Sequence, residues 1–179
     1  MVNNNQIGIG LVAIAALIAL VALVAPWWAL TMSGGGASMT QTAGPFNTND
    51  DTISATAALL TGFLTLMAFL ALAAATVLSV YGLIQNRQDN MIRNTPLMAL
   101  GGAAVLTLSL VLAILLYPGD GNLGFWDSVG GAGGSLTSAA AWGWYLGIAG
   151  VLLSIVGAVL MLGEREESPA APTDEGTTQ

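Results

Sequence analysis

The sequence predicts an all-α membrane protein: a bundle of four transmembrane helices with both termini in the cytoplasm. Three observations lead there. Of 179 residues, 55% are hydrophobic and only 7% charged, where a soluble domain carries roughly a quarter charged residues. The apolar residues fall in four long blocks, at about 7–25, 53–84, 97–117 and 140–162, and none of these contains Asp, Glu, Lys, Arg or His. Each is near or above the roughly 20 apolar residues that cross the hydrocarbon layer. A lipid-exposed span must satisfy its own backbone hydrogen bonds, which selects helices. A membrane β-barrel is excluded, because its strands would alternate polar and apolar positions.

The first block is expected to be a retained helix rather than a cleaved signal. Its leader, Met-Val-Asn-Asn-Asn-Gln, has no basic side chain, and its apolar run exceeds the roughly 7–15 residues of a signal core. Pro26-Trp27-Trp28 follows, where proline ends a helix and indole rings favour the membrane interface. Residues 26–52 form the first outer loop. From Thr31 to Asp51 it is built of Ser, Thr, Gly, Asn and Gln with Met32, Met39 and Phe46, which suits a short hairpin. Asp50, Asp51 and Thr52 are placed to accept from the first N–H groups of the second helix.

That second helix is long: about 32 residues span ~48 Å at 1.5 Å each, against roughly 30 Å of hydrocarbon. Its excess is expected to project at the outer end, where Ser54, Thr56 and Thr61 make it more polar. The short segment Gln85–Thr95 makes helices two and three an antiparallel hairpin, with Thr95 as N-cap and Pro96 at the first helical position. Helix three stops at Tyr117-Pro118-Gly119. The second outer loop, 118–139, holds the apolar unit Leu123-Gly124-Phe125-Trp126 and then the glycine-rich Gly130–Gly134. Phe125 and Trp126 are expected to fold back onto the outer ends of helices one and two, near Trp27 and Trp28. Trp142, Trp144 and Tyr145 open the fourth helix and, with Trp27 and Trp28, read as membrane-interface anchors. Residues 1–163 thus form one transmembrane domain, and 164–179 an acidic cytoplasmic tail expected to be disordered.

Orientation rests on Arg87, Arg93 and Arg165, the only basic residues in the chain. All fall between helices two and three or just after helix four, on the side of the N-terminus, and the positive-inside rule makes that side cytoplasmic. The expected location is the cell membrane, crossed in multiple passes. The formal net charge of −7, the absence of lysine and a pI near 4.1 resemble archaeal, halophilic proteins, whose acidic surfaces stay hydrated in concentrated salt. The same charge removes nucleic acid as an expected partner.

Catalysis needs an acid, a base, a nucleophile or a metal in a sheltered place. The chain has no His, Cys or Lys, and all its carboxylates sit in loops or tails, so no enzyme, cofactor or metal site is expected. Asp50 and Asp51 lack the spacing of a calcium loop. Ion-coupled carriers place an ionisable residue in the membrane, and the spans have none. Thr61, Thr65, Thr76, Ser79, Thr107, Ser109 and Ser154 could line a polar path in an oligomer, or bond to carbonyls and neighbouring helices.

Close packing is the stronger signal. Ala71, Ala75 and Ser79 repeat every four residues in helix two, as do Ala99, Ala103 and Thr107 in helix three. Gly143 and Gly147 form a G-x-x-x-G pair, with Gly150, Ser154 and Ala158 on a nearby line. Small residues at this spacing let helices approach each other in lipid, so Gly143, Gly147 and Gly150 are expected to supply the closest helix contact.

The order of parts, with Trp27 and Trp28 after helix one and Gly143-Trp144-Tyr145-Leu146 opening helix four, resembles the claudin-type four-helix membrane proteins. The Gly-Leu-Trp motif and the cysteine pair of that family's longer first outer loop are absent here. The resemblance implies adhesion, barrier or scaffolding roles. The expected function is therefore structural, scaffolding or accessory, with the lipid bilayer and a membrane-protein partner or a second copy as neighbours. The alternative is a small channel or carrier subunit.

Overall fold

The computed structural model describes residues 3–48, 55–85, 93–117, 124–131 and 133–166. Among the described residues, four helices are long and apolar enough to cross a membrane: α1 (Asn4–Val24), α2 (Ala55–Gln85), α3 (Thr95–Leu116) and α4 (Trp142–Glu166). The expected caps Asp50, Asp51 and Thr52, most of the loop around Arg87, Leu123, and the tail beyond 166 lie outside the described residues.

The helices begin and end for local reasons. Asn3 caps α1 by accepting from the Gln6 amide at 2.8 Å, while Gln6 accepts from the Asn3 amide at 3.4 Å. This reciprocal box satisfies two otherwise orphaned donors. The chain leaves α1 in extended backbone at Ala25, as the following proline requires. At α3 the expected cap is displaced by one residue. Asn94 is the N-cap, and Thr95 is the first helical residue, buried, with its hydroxyl accepting from Ser79 at 3.0 Å.

The helices form a ring in which α1 packs on α2 and α4, and α3 on α2 and α4. The α1–α4 and α2–α3 seams are the most extensive. Both are antiparallel: Gly8 meets Gly157 at one end and Ala25 meets Gly143 at the other, while Ser79 meets Thr95 and Thr61 meets Tyr117. The interior is alanine-rich, with Ala15, Ala19, Ala22, Ala68, Ala75, Ala99, Ala113 and Ala158 wholly buried around Leu72 and Leu106. Lipid supplies no hydrophobic drive between helices, so small residues that bring backbones into dispersion contact hold such a bundle.

The all-α expectation is corrected by the segments between α1 and α2 and between α3 and α4. They contribute β1 (Trp28–Gly34), β2 (Ala37–Gly44), β3 (Asn47–Thr48), β4 (Asp127–Gly131) and β5 (Gly134–Ala140) to one five-stranded antiparallel sheet, ordered β3-β2-β1-β5-β4. β1 and β2 meet through Gly35 and Gly36, both at positive φ, the two-residue turn that matches strand twist. The central pairing is between the two segments: Trp28 lies opposite Ala140, and Gly34 opposite Gly134.

The sheet is tied to one end of the bundle by Pro26 and Trp27. The Trp27 amide donates to Ala43 at 2.7 Å, its carbonyl accepts from Ala141 at 2.9 Å, and the Pro26 carbonyl accepts from Gly143 at 2.9 Å. That last bond satisfies a first-turn N–H of α4 that has no partner within the helix. Beside this junction Phe46 adopts φ 60°, a conformation that costs a non-glycine residue roughly 1–2 kcal/mol. It turns the ring onto Gly62 of α2, where a Cβ would stand 2.8 Å from the ring.

Candidate functional site

The residues read as packing sites do not share one seam. Gly143 abuts Ala25, Pro26 and Trp27, where an added Cβ would lie 2.6 Å from the Pro26 carbonyl oxygen. Gly147 faces Leu110 of α3, and Gly150 faces Ile18 of α1 and Leu106 of α3. Ser154 is buried and donates to the Ala99 carbonyl at 2.9 Å. In α2, Ala75 and Ser79 are buried toward the interior and Ala71 is half-buried at the flank. Two further glycines meet backbone to backbone in the α1–α4 seam, Gly8 and Gly157. A Cβ on either would come within 2.6–2.7 Å of the other's carbonyl oxygen. The signal was a glycine near the start of the first span and another near the end of the last, positions that an antiparallel pair brings together.

The hydroxyls inside the bundle are all engaged internally. Thr61 and Tyr117 share a 2.7 Å hydrogen bond. Ser109 donates to the Thr61 carbonyl at 2.9 Å and lies 3.0 Å from the Thr65 hydroxyl. Thr76 and Thr107 bond back to Leu72 and Ala103 carbonyls one turn earlier. These are the partners polar groups require where water is absent.

The five expected anchors divide. Trp27 and Trp28 are buried, so their indoles serve the protein interior and not the lipid boundary. Trp27 Nε1 donates to the Ala22 carbonyl at 2.7 Å, which accounts for one unpaired carbonyl at the end of α1. Trp28 Nε1 donates to Ser138 Oγ at 2.7 Å, and Ser138 passes the bond to the Phe125 carbonyl at 3.1 Å. Trp142 and Tyr145 are exposed, and Trp144 is half-buried.

Phe125 and Trp126 pack against Trp144 at the start of α4. Their centroids lie 5.9 and 5.3 Å from that of Trp144, and 4.6 Å from each other. Phe125 is buried and Trp126 half-exposed. The link to Trp28 runs through the hydroxyl of Ser138, a serine that nothing in the sequence distinguishes from its neighbours. Among the described residues, no group of His, Cys, Asp and Glu gathers that could hold a metal.

A four-helix, multi-pass membrane protein with a two-loop sheet at one end is the class this architecture defines. The chain matches no family model, and no curated protein matches its sequence.

Proposed function

We propose that this chain is a non-enzymatic protein of the cell membrane with a structural, scaffolding or accessory-subunit role. It works through helix packing and through the sheet formed by its two outer loops. The observation that carries the reading is the β1–β5 pairing, which fuses both loops into one platform instead of leaving two independent flexible segments. The alternative, a small channel or carrier subunit, is less well supported. The hydroxyls that would line a polar path are spent on partners within the chain, and the bundle interior is filled by alanine and leucine.

In this reading the sheet lies outside the cell and both termini are cytoplasmic, since Arg87, Arg93 and Arg165 belong to the opposite side. The claudin-like order of parts supports an adhesive or barrier role for the platform, with a membrane-protein neighbour or a second copy as partner. The acidic, lysine-free composition supports a high-salt, archaeal habitat.

Reconstitution decides between the two readings. Purified protein in liposomes should carry no ion or solute flux, and a photo-crosslinker at Ser38 in native membranes should trap one recurring protein neighbour. A discrete homo-oligomer that conducts would establish the channel instead.

A further inference from the structure

Residues directly opposite one another in an antiparallel ladder project to the same face, so the strand register sorts the sheet into two unlike faces. One carries Thr40, Thr31, Thr137 and Ser128 in a single cross-strand row, and Ser38, Ser33 and Ser135 in the next. Hydroxyl pairs stitch it together: Thr31 to Thr40 at 3.3 Å and Ser33 to Ser135 at 2.6 Å. The other face carries Met39, Met32, Leu136 and Val129 in one cross-strand row. Met32, Met39 and Val129 are 39%, 61% and 56% exposed.

The apolar face is the one turned toward the bundle. Nearer the helices it carries Trp28 and Leu30, both buried, with Gln41, Ser138 and Asp127 beside Leu30 in one cross-strand row and Ser138 bonded to the Phe125 carbonyl. The exposed row farther along the strands points the same way as these buried residues, toward the side on which the helices and, for a transmembrane bundle, the leaflet lie. Trp126, before β4, and Trp142 and Tyr145, at the start of α4, are also exposed, residue types that favour headgroup depth. A second copy fits less well. Four side chains on strands about 4.8 Å apart make a strip far smaller than the roughly 800 Å² each partner of a stable interface buries.

We propose that the sheet overhangs the bundle and seats the Met39–Met32–Leu136–Val129 row in the interfacial region of the leaflet on its side, with the hydroxyl face turned to water. The platform is thereby held at fixed height and tilt by lipid as well as by the helices. The inference rests on the multi-pass membrane reading, and its test separates the two.

The chain has no cysteine, so single nitroxide labels can be placed without background at Met39→Cys, Val129→Cys, Thr40→Cys, Ser128→Cys and the exposed helix position Leu152→Cys. In liposomes, the ratio of oxygen to water-soluble nickel-chelate accessibility should be several-fold higher at Met39 and Val129 than at Thr40 and Ser128, and highest at Leu152. Equal nickel accessibility at all four sheet positions, with Leu152 immersed, overturns the proposal while leaving the membrane reading standing. A water-accessible Leu152 overturns both. Spin–spin broadening at Met39 or Val129 would mean that a second copy covers the row, which also overturns it.

Discussion

The indole of Trp28 and the hydroxyl of Ser138, 110 residues apart in the chain, meet at 2.7 Å in the buried base of the sheet. Ser138 also donates to the Phe125 carbonyl, so one hydroxyl joins β1, β5 and the aromatic segment before β4. Ser138→Ala orphans both the Trp28 N–H and the Phe125 carbonyl. Leaving a buried polar group unpaired costs about 1–3 kcal/mol, so this substitution should lower the thermal midpoint in detergent by several degrees. Ser135→Ala, on the exposed hydroxyl face, should leave it almost unmoved; an unmoved midpoint in Ser138→Ala as well would mean that the Trp28 bond contributes nothing.

Glycine positions should separate by what lies opposite. At Gly8 and Gly157 an added methyl meets backbone oxygen, which cannot rotate away. Overpacking of this kind costs about 1–3 kcal/mol. Gly147→Ala meets the Leu110 Cδ2 at 2.8 Å, the end of a flexible side chain that can turn aside, and all three substitutions gain roughly 1 kcal/mol in helix propensity. Gly8→Ala and Gly157→Ala should therefore be the more destabilising, and Gly147→Ala should be near neutral. The reverse order in thermal unfolding would refute this account of the α1–α4 seam.

Polar deletions in the α2–α3 seam should be mild and ordered. Interhelical hydrogen bonds in membranes average about 0.6 kcal/mol, with a maximum near 1.7. Tyr117→Phe removes one bond, and Thr61 keeps the Ala57 and Ala58 carbonyls as acceptors. Ser109→Ala removes the bond to the Thr61 carbonyl as well as the contact with Thr65, so it should cost about twice as much. Unfolding in mixed micelles measures both.

Sidedness is open to a direct test. Cysteines at Ser38 and Ser128, both exposed on the sheet, should react with a membrane-impermeant maleimide on intact cells. One at Gln85, the exposed last residue of α2, should react only after lysis. Labelling of Gln85→Cys from outside would invert the proposed orientation.

The helices were legible because a span in lipid has few solutions: uncharged runs marked all four, with ends displaced by one to four residues. Asn3 and Gln6 moved the start of α1 outward, and Asn94 took the cap expected of Thr95. The sheet was harder to read. Trp28, Leu30 and Met32 do alternate with Ala29, Thr31 and Ser33, but β4 and β5 are mostly glycine, serine and alanine, with Val129 and Thr137 as their β-branched residues, so local propensity is weak there. β5 pairs with β1, far away in sequence, and β4 pairs with β5. The Trp27 and Trp28 rings went astray for a related reason. Composition shows that an indole stands near the membrane boundary, but only the tertiary pairing decides whether it faces lipid or the base of a sheet.

The placement of β1 between β2 and β5 also sets an order of events during biogenesis. Once α1 and α2 have been inserted, the β1–β2 hairpin can close locally, but one edge of β1 stays open until β5 emerges about a hundred residues later. Long-range pairings of this kind form late and expose an unpaired edge in the meantime. A chain arrested after its second helix therefore displays an open strand and an indole N–H without a partner. The finished sheet is thus a mark, readable from outside the bundle, that the chain has passed its third helix and that the segment after it has joined the one after the first.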